Sequence, residues 1–185
     1  MNNPIIRTFI RTFIRTRFYL MSRDHATELI RNHKVAYLGL AEQMGSLWGD
    51  TSVTVPPMIG VDPEMRSWSF FQILEHNAIV NRMISHNVEK LSRGEDPTPE
   101  QPIDHKTDVL PQGLLRSGPE QIEEFRESVD GYLSMIATLP DFRGTVETPH
   151  PVFGLFDAHK WHCMFGFHLG LHLKQARKVI SLLPH

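Results

Sequence analysis

Four stretches in which apolar residues recur at mixed threes and fours, separated by proline-rich breaks, constrain this chain more than any other feature. Leu29, Val35, Leu38, Leu40, Met44, Leu47 and Trp48 predict a first helix from about Asp24 to Trp48. Pro56, Pro57, Gly60 and Pro63 then break the pattern, so Thr51 to Arg66 reads as a loop. Ser67 is a candidate N-cap, and Ser69 with Gln72 offers an alternative capping box one step inside. The second helix carries Phe70, Ile73, Leu74, Val80, Met83, Ile84 and Leu91 and ends near Arg93-Gly94.

Glu95 to Leu115 is a polar connection with Pro97, Pro99, Pro102 and Pro111, long enough to carry the chain from one end of a bundle to the other. Ser117 and Glu120 form a capping box with Pro119 in the first turn, where a missing N–H costs nothing. The third helix carries Ile122, Phe125, Val129, Tyr132, Leu133, Ile136 and Leu139 and stops before Pro140. A loop with Arg143-Gly144 and His150-Pro151-Val152-Phe153-Gly154 follows, and Asp157 caps a last helix from about Ala158 to Leu183. No segment alternates as a half-buried strand does. The prediction is an all-α four-helix bundle with a long connection between its second and third helices.

Composition removes other classes. A length of 185 residues suits one domain with its own core. Hydrophobics at 41% and charged residues at 22% argue against wholesale disorder and against a membrane bundle. No apolar run reaches the length of about 18 residues that a spanning helix needs. The single cysteine, Cys163, excludes an internal disulfide, a Cys-type zinc site and a CxxC redox centre, which makes a reducing, cytoplasmic setting the default.

Net charge is −2, but the first twenty residues contain Arg7, Arg11, Arg15 and Arg17 and no acid, so 15 basic and 21 acidic residues leave −6 for residues 21–185. That body has no clustered basic face of the kind nucleic-acid binding requires. The near-perfect repeat Arg7-Thr8-Phe9-Ile10, Arg11-Thr12-Phe13-Ile14 admits three readings: an organelle-targeting peptide, a membrane-surface helix, or a segment upstream of a start at Met21. A four-residue period drifts around a 3.6-residue helix, which weakens the second. Residues 1–20 are therefore expected to be a basic leader outside the fold, and residues 21–185 the bundle.

Eleven histidines are the unusual part of the composition. His168 and His172 are four apart on the last helix and project within about 40° of each other, a spacing that suits two imidazoles on one metal. Chance placement would give roughly 0.6 such pairs, so spacing alone is weak. Position strengthens it. Trp161, Phe165 and Gln175 project within about 60° of His168, so both imidazoles interrupt an apolar face where an unbonded one is costly. A third ligand should come from another helix. His76 is the best candidate, because Ile73, Val80 and Met83 project within about 60° of it.

His86 points about 80° away from His76, and His159 and His162 are rotated about 180° and 120° from His168, so these are excluded as direct ligands. His25, His33, His105 and His185 read as surface residues. Cys163 reads as a small core or interhelical residue. The competing reading of His76 is a hydrogen-bonded core histidine without metal. The Trp68, Trp161 and Phe165 set reads as core, with Phe153 anchoring the start of the last helix.

Trp68-Ser69 and Ile73-Leu74-Glu75-His76, followed by His150-Pro151-Val152-Phe153-Gly154, Trp161 and His168-x3-His172-Leu173-Lys174-Gln175, resemble the DinB-like superfamily, and most closely its DUF1569 branch. The resemblance covers roughly residues 24–183. It implies a four-helix bundle with a divalent metal on His76, His168 and His172. It also implies kinship with thiol S-transferases and a maleylpyruvate isomerase that use low-molecular-weight thiols. Two departures stand out: Leu171 precedes His172 where DUF1569 relatives often carry consecutive histidines, and Leu173 stands where characterised thiol transferases commonly have arginine.

Three neutral imidazoles leave a divalent ion, by preference Zn or Ni, its full charge, which lowers the pKa of a bound water or thiol. Glutathione, bacillithiol or mycothiol would suit the remaining position. Gln175 is a candidate for orienting an imidazole. Glu75, about 100° from His76, is a candidate for proton handling, with a helix-face salt bridge as its competing role. The expected function is metal-dependent S-transfer or hydrolysis on a small molecule. The alternative is a non-catalytic module with a structural metal or buried histidines, acting through a partner or a homodimer. Either metal reading requires the ring nitrogens to converge to about 3–4 Å, as ligands at about 2.0–2.1 Å from one ion must.

Overall fold

Caps and apolar spacing set the helix bounds in the computed structural model, which describes residues 4–97, 107–111 and 118–184. Helix α1 (Pro4–Leu20) is followed by α2 (Arg23–Trp48), whose N-cap Ser22 accepts from the His25 amide at 3.2 Å. Helix α3 (Phe70–Ser92) opens on a complete capping box: the Gln72 amide donates to Ser69 Oγ at 3.2 Å, and the Ser69 amide donates to Gln72 Oε1 at 2.8 Å. Ser69 is thus the cap, while Ser67 ends a short 3-10 turn (Pro63–Ser67). Helix α4 (Gly118–Thr138) begins where sequence signals put it, although Ser117 of the expected capping box lies outside the described residues, as do His105 and His185. Asp157 caps α5 (Ala158–Leu182) by accepting from the Lys160 amide at 2.8 Å.

Helices α2 to α5 form the bundle. α3 packs against α4 and α5, and α2 against α5 and α4. Its interior holds Tyr37, Phe70, Ile73, Phe125, Val129, Phe165 and Leu169, all fully buried. The buried Tyr37 hydroxyl in that core is paired. The Tyr37 hydroxyl donates to the Leu169 carbonyl and accepts from Asn77 Nδ2, both at 3.1 Å, so its burial carries no unmet donor. A short antiparallel hairpin of β1 (Thr148–His150) and β2 (Gly154–Phe156) leads into α5 and pairs His150 with Gly154. Among the described residues the bundle is all-α apart from this hairpin and an isolated Met58–Val61 bridge. The long connection expected after the second bundle helix joins α3 to α4. No helix among the described residues is long and apolar enough to cross a membrane.

The N-terminal segment departs from expectation. Residues 4–20 do not stand outside the fold: α1 packs on α5, with Ile14 and Phe18 buried in the common core. The four-residue repeat places Ile10, Ile14 and Phe18 along one stripe, and drift over two turns is too small to carry them off a neighbouring surface. Phe18 meets Phe156 and Phe167 edge to face at 5.8 and 5.7 Å. Carbonyls at the end of α1 are satisfied from outside the helix. Arg143 donates to Tyr19 O and Met21 O at 3.0 and 2.8 Å, and His159 Nε2 donates to Phe18 O and Met21 O at 3.1 and 3.0 Å. Arg15 donates to Leu155 O at 3.1 Å, and any Cβ at Gly154, whose φ of 85° already favours glycine, would collide with the Arg11 guanidinium. This arginine-rich helix therefore spends part of its charge on the fold.

Candidate metal centre

Adjacent packing of α3 and α5 brings His76, His168 and His172 together, and a ligating atom of each lies within 4.8 Å of the other two. Ring centroids stand 5.1 Å apart for His76 and His168, 4.7 Å for His76 and His172, and 4.6 Å for His168 and His172. His76 and His172 are buried. His168 keeps some surface, but its Nδ1 is buried.

Outer hydrogen bonds determine which nitrogens face inward. His76 Nδ1 donates to the Val109 carbonyl at 2.6 Å. His172 Nδ1 donates to Gln175 Oε1 at 2.8 Å, and the orientation of that amide is settled by Gln175 Nε2 donating to Met65 O at 2.7 Å. With protons on both Nδ1 atoms, each Nε2 presents a lone pair. His76 Nε2 lies 3.2 Å from His168 Nε2, close to the separation of about 3.3–3.4 Å that two nitrogens have on one tetrahedral ion. His168 thus faces His76 through Nε2, and its buried Nδ1 has no hydrogen-bond partner. These donors fit a divalent transition metal: all nitrogen, neutral, and two of three oriented from behind.

Burial keeps the cluster uncharged. Desolvation lowers the His76 imidazole to about 4 against the opposing hydrogen bond to Val109. It lowers His172 to about 3, helped by His76 and opposed by Gln175. His168 is held well below the usual range, by burial first and then by its imidazole neighbours. The Trp68 ring packs against the cluster, 4.9 Å from His76 and 6.4 Å from His172.

Other sequence candidates fall elsewhere. Glu75 is half-buried on α3 beside His76 but does not belong to the convergent group. His86 is exposed, as expected. His159 and His162 lie outside the convergent group, and both are buried, so histidines at core positions number more than three. His162 Nε2 donates to Arg23 O at 3.2 Å, and its Nδ1 accepts from the Tyr132 hydroxyl at 2.7 Å. His33 is half-buried rather than on the surface. Sequence reasoning did not reach Val109 and Met65, which act through backbone carbonyls and carry no side-chain signature.

Neutral buried histidines make stability fall in acid. Their folded pKa values lie below the ordinary 6.5, so below that pH the unfolded chain binds more protons than the native one. His76 and His162, each lowered to about 4, and His172, lowered to about 3, should each cost about 2 kcal/mol between pH 7.5 and pH 5. Urea melts at the two pH values in the presence of chelator measure this, and an unchanged midpoint would contradict the burial of neutral imidazoles.

Comparison with known proteins agrees with this architecture. A family model described as the DinB superfamily matches residues 22–176. Among solved structures, TT2238, described as a four-helix bundle protein, is similar with a TM-score of 0.53 at 17% sequence identity, covering 84% of this chain and 98% of that one. No curated protein matches.

Proposed function

The chain belongs to the DinB superfamily, and from that premise we propose that it is a metal-dependent enzyme whose divalent ion is held by His76, His168 and His172. The observation that carries the reading is the convergence of three neutral imidazoles, with two inward lone pairs fixed by outer hydrogen bonds and the buried His168 Nδ1 left without a partner. Zn or Ni suits an all-imidazole set. When bound, such an ion supplies Lewis acidity that lowers the pKa of a coordinated water or low-molecular-weight thiol by several units.

The chain's own residues do the rest. Val109 O and Gln175 Oε1 fix the ring orientation and tautomer of His76 and His172. Trp68 shields the site from bulk water. Glu75 is placed in this reading as a proton carrier at the edge of the site. The reaction proposed is S-transfer or hydrolysis on a small molecule, in a cytoplasmic setting. His150-Pro151-Val152-Phe153-Gly154 and the histidine pair on α5 support placement in the DUF1569 branch.

A second reading rests on burial: with His76 and His172 each 2% exposed, an ion there could fix packing without reacting, in a module that works through a partner or a second copy. Cobalt-substituted protein separates the two. The proposed enzyme should show visible absorption bands that shift on titration with glutathione, because a thiol sulfur replaces a labile ligand. Bands that ignore glutathione and small anions alike would establish a closed, structural site.

A further inference from the structure

On the face of α5 turned away from the histidine cluster lies a cavity of about 230 Å³, walled by Phe18 of α1, Leu29 of α2 and Phe167 and Leu171 of α5. Arg17 and Lys174 belong to its lining, which contains no Asp or Glu, and both side chains are exposed. Neither makes an ion pair among the described residues, whereas Lys160 pairs with Glu147 and Asp157, and Arg143 donates to the Tyr19 and Met21 carbonyls. Arg177, three residues past Lys174, adds positive charge at His33. His33, also in the wall, is half-buried, and burial lowers its imidazole against an opposing backbone hydrogen bond to Gly166. Cys163 closes the cavity, and burial pushes its thiol up to about 12, so it presents a neutral, weakly polar surface.

Apolar walls with unpaired cations and no acid define a ligand by charge and polarity. We propose that this cavity binds a small amphipathic carboxylic acid, its carboxylate taken by Arg17 and Lys174 and its hydrocarbon portion seated against Phe18, Leu29, Phe167 and Leu171. The volume is below the range of about 300–1,000 Å³ typical of drug-sized pockets, which points to a small acid. Because α1 supplies Arg17 and Phe18, the site exists only with that helix docked, and it is independent of any metal at the histidines.

Octanoate is the probe, titrated calorimetrically into the full chain beside 1-octanol and octylamine. Octanoate should bind the parent at millimolar concentrations or below, and Lys174→Glu and Arg17→Glu should each weaken it at least about tenfold, equivalent to about 1.4 kcal/mol. Both positions are exposed, so the fold should stand in each variant. Equal affinity in parent and charge-reversed variants, or octanol or octylamine binding as tightly as octanoate, would overturn the proposal.

Discussion

His168→Ala should abolish stoichiometric metal binding. Protein purified without a histidine tag should carry about one equivalent of transition metal per chain, and the variant less than about a tenth of that, with helical content by circular dichroism unchanged. Loss of outer partners already costs about 10–100-fold in metal affinity, so removal of a direct ligand should cost at least about 100-fold in a competition titration with a chromophoric chelator. Gln175→Leu supplies the graded control. It leaves all three imidazoles in place but removes the acceptor at His172 Nδ1, and should weaken binding by about 10–100-fold rather than abolish it. A parent that binds no metal under these conditions would defeat the metal reading outright and leave three buried, neutral histidines as packing groups.

Phe18→Ala should be among the most destabilising substitutions in the chain, which is unexpected for a residue in a basic N-terminal leader. The ring is fully buried against Phe156 and Phe167, and loss of such a side chain to a cavity costs about 3–5 kcal/mol. For a domain of this size that corresponds to a Tm lower by roughly 6–20 °C. Phe13→Ala, one turn away on the exposed side of the same helix, should change Tm little. Equal and negligible shifts for both variants would mean that α1 does not pack on the bundle in solution.

Most helix bounds were legible because they follow from local chemistry. The Ser69 and Gln72 capping box, Asp157 before α5 and Pro140 after α4 act within a turn of the chain, so their effects do not depend on the rest of the fold. His168 and His172 were legible for the same reason, since four residues along a helix fix their relative direction. His76 was reachable only through the apolar face on which it sits. Burial of His159 and His162 was not legible. Helical arithmetic turns them away from His168, but their partners are the Phe18, Met21 and Arg23 carbonyls and the Tyr132 hydroxyl, distant in sequence.

The N-terminal helix shows the same division more sharply. Its arginines, isoleucines and phenylalanines are compatible with a targeting peptide, a membrane-surface helix or a packed helix, because all three need an amphipathic segment with positive charge. Docking onto α5 depends on complementary groups elsewhere: the aromatic surface of Phe156 and Phe167, Arg143 and His159 at its last carbonyls, and the bare Gly154 beside Arg11.

By itself, the sequence determined the helical class, the helix limits and the three histidines able to share an ion, since apolar period, caps and i,i+4 spacing are properties of neighbouring residues. Only the tertiary structure decided that α1 belongs to the packed body, that Val109 and Met65 carbonyls support the imidazole cluster, and that a cation-rimmed cavity opens behind α5. Those features depend on distances between segments far apart in the chain, and such distances are set by how the helices pack rather than by any local preference.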